Sequence, residues 1–195
     1  MSNLSIAGID EVGRGSLFGP VVAAAVVLSE AAGLELQTLG VTDSKRLSAR
    51  RREQLIQPIQ ALASDYTLGL ASVHEIHRLN ILGATLLAME RAVRRLSSPP
   101  DLCLVDGNQA IPNLGLPQRT VVQGDKTYIE IAAASILAKV WRDTLLTRLD
   151  RRYPGYGLAR NKGYGSTHHR QAIQTLGPTP QHRQSFKGCG GFRGH

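Results

Sequence analysis

The sequence predicts an α/β fold, and three observations carry that prediction. Short apolar runs of strand character precede long segments of helical spacing, as YTLGLASV (66–73) precedes the stretch from His74 to Leu96. The order recurs where TVVQGD (120–125) precedes IEIAAASILAKVWRDTLLTRLDRRY (129–153), and strands alternating with long helices give layered α/β architecture. A chain of 195 residues, 42% hydrophobic and 19% charged, has the length and composition of one globular domain. No internal repeat, linker or low-complexity block divides it, so a single domain over residues 1–195 is expected.

Taken in order, Ser5 to Ile9 and Pro20 to Leu28 read as strands joined by the turn GRGS, because a proline without an N–H can only start a strand. This hairpin is expected to carry Asp10 and Glu11 at its mouth. A loop containing VTDSKRLS leads to residues 48–63, where Leu55, Ile59 and Leu62 share a helical face and Ser48 is the N-cap. Pro58 is a candidate kink. The run 66–73 alternates as a third strand, and the helix from about His74 to Leu96 stops before the breaker SSPP. LCLVDGN (102–108) is a buried-type strand whose last residue is Asp106, and TVVQGD is a further strand-like run ending at Asp125. A long helix spans about Ile129 to Tyr153. The remainder, from Pro154, is rich in Gly, Tyr, His and basic residues and holds one short helix near His168 to Leu176.

Charge narrows the class of partner. Lys+Arg total 23 against 15 Asp+Glu, a net charge of +8 and a pI near 10.0, which favours a polyanion. The longest apolar run, Val21 to Leu28, falls far short of the roughly 20 residues a bilayer span needs. The start MSNLSIAGIDE lacks the basic and cleavage elements of a signal peptide, so a cytoplasmic protein is expected. Cys103 and Cys189 have no spaced partners of a zinc site or disulfide framework.

Three strand-like segments end in acidic residues: Asp10 with Glu11, Asp106, and Asp125. In open α/β sheets the strand ends gather ligands, so these residues can meet there. Converging carboxylates repel one another unless cations neutralise them, and oxygen donors suit Mg²⁺ or Mn²⁺ rather than zinc. Two such ions, roughly 3.5 to 4 Å apart, would serve phosphodiester hydrolysis. A single strand-end Asp before a turn is ordinarily a turn residue. Asp10 and Glu11 resist that reading, because adjacent strand residues face opposite sides and one carboxylate must turn inward unless the strand ends or bulges there.

The runs GIDEVGRG (8–15), GPVVAAAVVL (19–28), DSKRLS (43–48), VDGN (105–108), GDKTYIEIAAASILAKVWRD (124–143), YPGYGLARNKGYGS (153–166) and GPTPQHRQSF (177–186) resemble bacterial ribonuclease HII, the type 2 ribonuclease H. The likeness follows one order over nearly the whole chain and fails only in the last few residues. It implies a ribonuclease H-like fold, a mixed central sheet flanked by helices, with a C-terminal helical extension from about residue 154 that contacts substrate. It also implies endonucleolytic cleavage of RNA in RNA/DNA hybrids and incision 5′ to ribonucleotides embedded in duplex DNA, leaving 3′-hydroxyl and 5′-phosphate ends, in replication and repair. By motif position Asp10, Glu11, Asp106 and Asp125 would hold two Mn²⁺ or Mg²⁺ ions. Gly13, Arg14 and Gly15 match the element that reads the 2′-hydroxyl at the junction through its main chain, which glycines let approach a sugar closely. Tyr164 matches the tyrosine that stacks on the following deoxyribose, and Lys45, Ser135 and Lys139 match phosphate contacts.

Ser16 and Asn161 depart from the family pattern, where a proline or other small residue often follows GRG and a histidine often precedes KGYG. His74 and His77 complete no metal cluster and are expected at the surface, whereas His169 and His182 are structural or phosphate-facing. A monomer is expected, and the tail GCGGFRGH shows no sliding-clamp motif. Ribonuclease HIII fits less well, having an extra N-terminal domain and no GRG. Two competing readings remain: a non-catalytic nucleic-acid-binding protein, which leaves the four carboxylates unexplained, and a DNA exonuclease or integrase, for which GRG and KGYG would have no purpose.

Overall fold

The computed structural model describes residues 4–189. Five strands, β1 (Ile6–Val12), β2 (Val21–Val27), β3 (Asp65–Ala71), β4 (Leu102–Asp106) and β5 (Gln118–Val121), form one sheet in the order β3-β2-β1-β4-β5. β1 pairs antiparallel with β2 and parallel with β4, and β4 pairs parallel with β5, so the sheet is mixed. The helices are α1 (Glu30–Thr38), α2 (Ala49–Leu62), α3 (Val73–Arg94), α4 (Ile129–Arg152), α5 (Leu158–Asn161) and α6 (Thr167–Leu176). None of the described helices is long and apolar enough to cross a membrane.

β2 is buried on both faces, which is why it reads as an unbroken apolar run. Val21, Ala23 and Ala25 join a core with Ala84, Ala88 and Met89 of α3, while Val22, Ala24 and Val26 join one with Leu55 and Ile59 of α2 and the alanines of α4. Small residues let α4 lie close against the sheet. A Cβ on Gly8 of β1 would come within 2.2 Å of the Glu130 carbonyl carbon.

A third apolar cluster, including Leu17, Phe18, Leu146, Tyr156, Leu158 and Ile173, lies beneath the C-terminal segment. Residues 16–19 thread between two stretches of that segment. The Leu17 N–H donates to the Gly163 carbonyl at 2.8 Å, and the Leu17 carbonyl accepts from the Arg183 N–H at 2.8 Å. The β1–β2 turn and the extension are thereby one hydrogen-bonded unit.

Several elements differ from expectation. β1 continues to Val12, so Asp10 and Glu11 lie within the strand, opposite Ala24 and Ala23, rather than at a hairpin mouth. Residues 30–38, read as loop, form α1 with Ser29 as N-cap. α2 runs without interruption through Pro58. α3 breaks at Asn80 (φ 57), whose side-chain oxygen accepts the N–H groups of Leu82 and Gly83 and caps the second half anew. Asp125 lies not at a strand end but in a 3₁₀ turn, Gly124–Lys126, leading into α4.

Candidate active site

The parallel register of β1 and β4 stops at Ile9↔Val105, one residue before an aspartate on each strand. Beyond it the strands are free to splay, and carboxylate oxygens of Asp10, Glu11 and Asp106 come within 4.8 Å of one another. The Asp106 carboxylate accepts the Gly124 N–H at 2.7 Å, which fastens the 3₁₀ turn beside it and sets Asp125 next to the trio. One Asp125 oxygen is buried without a hydrogen-bond partner, and the exposed Lys45 ammonium stands 3.5 Å from it.

This arrangement is electrostatically strained. Burial, reinforced by the Glu11 and Asp106 charges, raises the Asp10 pKa well above the usual carboxylate range. Glu11 is raised chiefly by burial and by Asp106 despite Arg14, whose guanidinium lies 3.3 Å away. Asp106 is raised by burial and by Asp125. For Lys45 burial works to lower the pKa, but Asp125, Asp10 and Asp43 together raise it. Close oxygen donors with excess negative charge and an orphaned buried oxygen fit hard divalent cations.

The surrounding residues are held from behind. Ser135 of α4 is buried, shares a 2.8 Å hydrogen bond with the Ser44 hydroxyl and faces Asp10. Lys139 donates to Asp143 at 2.9 Å and lies 5.7 Å from the centre of the Tyr164 ring. Gly13 takes φ +93, and a Cβ there would lie 2.2 Å from Nε of Arg142. Arg14 projects into solvent, and nothing stands within 4 Å of a Cβ built on Gly15. Tyr164 is 37% exposed and bridges to Ser16, so the GRG turn and the tyrosine are neighbours.

Sequence reasoning missed the residues that hold this pairing. Arg142, fully buried, donates to the carbonyls of Pro20, Phe18 and Lys162 and to the Ser16 hydroxyl at 2.8 to 3.0 Å. Arg183, also buried, donates to the carbonyls of Gly19 and Arg14. Nothing in the local pattern of WRD or QHRQ announces a cation most of whose partners lie more than 100 residues away. The two departures from the family pattern have structural work. Ser16 donates to the Phe18 carbonyl while accepting from Arg142, and Asn161 bonds the Tyr156 carbonyl and the Gly163 N–H. His74 and His77 are exposed as expected, and among the described residues neither joins a metal cluster.

The family described as Ribonuclease HII matches residues 7–189. The chain belongs to the ribonuclease HII family. A ribonuclease HII of Acaryochloris marina is 66% identical over 184 residues, covering 94% of this chain and 93% of that protein. The fold is similar to ribonuclease H2 of Pyrococcus horikoshii, with a TM-score of 0.80, 27% identity and coverage of 95% of each chain. It is likewise similar to ribonuclease HII of Archaeoglobus fulgidus, solved in complex with PCNA, with a TM-score of 0.80 and 29% identity over 94% of this chain and 96% of that one. Membership makes the protein a ribonuclease H, a hydrolase acting on RNA/DNA hybrids, and the mixed sheet with flanking helices is the ribonuclease H-like fold.

Proposed function

We propose that Asp10, Glu11, Asp106 and Asp125 hold two divalent ions, Mg²⁺ or Mn²⁺, and that the chain incises 5′ to ribonucleotides embedded in duplex DNA as well as degrading the RNA of hybrids. The observation that carries this reading is the meeting of three carboxylates from β1 and β4 just beyond the last pair of those two strands, at a cost in mutual repulsion. The chemistry supplied by the ions when bound is activation of a water and stabilisation of the 3′-oxygen leaving group, giving 3′-hydroxyl and 5′-phosphate ends. Asp10 and Asp106 orient the centre from adjacent strands, and Asp125 closes it from the turn that Asp106 secures.

Gly13, Arg14 and Gly15 offer main chain to the 2′-hydroxyl, and the glycine at 15 leaves open room for a sugar. Tyr164 packs its exposed ring on the following deoxyribose, with Lys45, Ser135 and Lys139 toward the backbone phosphates. We read residues 1–195 as one catalytic unit that includes the extension from about 154, acting as a cytoplasmic monomer. The Archaeoglobus relative was solved with PCNA; in this chain the tail from Gly190 lies outside the described residues.

The test is a labelled duplex with one ribonucleotide, set beside an all-DNA duplex and an RNA/DNA hybrid, each incubated with EDTA, Mg²⁺ or Mn²⁺. A metal-dependent cut 5′ to the ribonucleotide, with the all-DNA duplex intact, is expected. Cutting of the hybrid alone would overturn junction reading by GRG and Tyr164.

A further inference from the structure

His169 and His182 are both buried, and their Nε2 atoms lie 3.1 Å apart. The surroundings fix where each proton sits. Nδ1 of His169 lies 3.0 Å from the Tyr164 carbonyl, which can only accept, so Nδ1 carries the hydrogen. The Nε2 of a neutral His169 is then bare and accepts from His182, whose proton must be on Nε2. That leaves Nδ1 of His182 bare, where it accepts the Thr179 N–H at 2.9 Å, with the Thr179 hydroxyl also at 2.9 Å. Each ring nitrogen has a partner and a single role, donor or acceptor, in a chain that runs from residue 179 through both imidazoles to the main chain of Tyr164.

The environment holds both rings neutral. Phe18 lies 4.9 Å and Tyr156 4.8 Å from the His182 ring, centre to centre. His168 and Arg170 on α6 and Arg183 beside His182 are the nearby cationic or titratable groups, and no carboxylate makes an ion pair with either ring among the described residues. A protonated His169 would turn an N–H toward the N–H of His182, so the relay exists only uncharged.

We propose that His169 and His182 are positioning residues for Tyr164. The relay fixes the Tyr164 carbonyl, which also accepts the Ser166 N–H at 2.8 Å, and so sets the presentation of the phenol ring beside the GRG turn. This rests on the reading of Tyr164 as the group that packs on the deoxyribose at the junction. A merely structural pair would slow cleavage of every substrate together, whereas a positioning pair acts on junction substrates and spares uniform hybrid.

The experiment compares initial rates on a single-ribonucleotide duplex and a uniform RNA/DNA hybrid, with thermal melts of each variant and ¹⁵N imidazole spectra of the wild type at pH 7.5. His169→Leu is expected to lower the junction-to-hybrid ratio about tenfold, the worth of one buried hydrogen bond. His169→Asn, whose amide can still donate to the Tyr164 carbonyl, should recover much of it, and Tyr164→Ala added to His169→Leu should lower it no further. The spectra should show the proton on Nδ1 of His169 and on Nε2 of His182. If His169→Leu does not fold, His182→Asn decides, since it keeps an acceptor for Thr179 but is too short to reach His169; a fall in the ratio is expected. An unchanged ratio, or an equal fall on both substrates, overturns the proposal. With Tyr164→Ala still lowering the ratio, only the positioning role is lost; with Tyr164→Ala without effect, the reading of Tyr164 fails as well. Other tautomers, or a charged ring, overturn the relay directly.

Discussion

The carboxylate cluster and the turn at residues 16–19 treat buried charge in opposite ways. Where β1 and β4 stop pairing, Asp10, Glu11 and Asp106 are crowded together with few internal donors, and their pKa values rise because burial and mutual repulsion disfavour the charge. Around residues 16–19, Arg142 is equally buried yet meets four acceptors. The imidazoles of His169 and His182 likewise use every nitrogen. Charge left uncompensated fits an external cation, and charge met internally marks a frame that ties residues 14–20 to the C-terminal segment.

The largest test of that contrast is Asp10→Asn. Cleavage should fall at least about a thousandfold, while the Tm in EDTA stays level or rises by a few degrees, because one repelling charge is gone. A variant that melts earlier and still cuts would show that Asp10 is part of the frame instead. Arg142→Leu should behave in the reverse sense. Removing four donated hydrogen bonds at once, which leaves the Pro20 and Lys162 carbonyls without this donor, is expected to cost about 3 to 5 kcal/mol, read as a clear drop in Tm on both substrate-bound and free protein. An unchanged Tm would remove the distinction between the two regions.

Gly13→Ala joins them. Its φ of +93 and the close approach of Arg142 make any side chain strained, and a loss of about 2 to 4 kcal/mol is expected, together with a lower junction-to-hybrid ratio. Stability should be read by denaturant unfolding.

The smallest effect expected is the response to acid. Burial first, then the His169 ring, pushes the His182 pKa down to about 4. Its contribution is therefore full above the unfolded value near 6.5 and is lost progressively as pH falls toward 4. Unfolding measured from pH 7.5 to 4.5 should show this loss in the wild type and a shallower one in His182→Asn. Equal slopes would exclude the histidine pair as its source.

Sequence alone determined much of the architecture. The alternation of strand and helix, the double-faced apolar run of β2, the N-cap at Ser48 and the long α4 are local patterns, and local periodicity carries them. It also singled out the four acidic residues, since carboxylates in apolar surroundings stand out wherever the chain goes. The misplaced details were tertiary. β1 extends past its acidic pair because β2 supplies partners opposite Asp10 and Glu11, and Asp125 sits in a turn because Asp106 binds the Gly124 N–H. Arg142, Arg183, His169 and His182 look like ordinary polar residues of a basic chain. Only folding decided that the arginines and His182 would be buried against residues 14–20 and that the two histidines would meet through their ring nitrogens, because a hydrogen bond is set by distance in space and not by spacing in sequence.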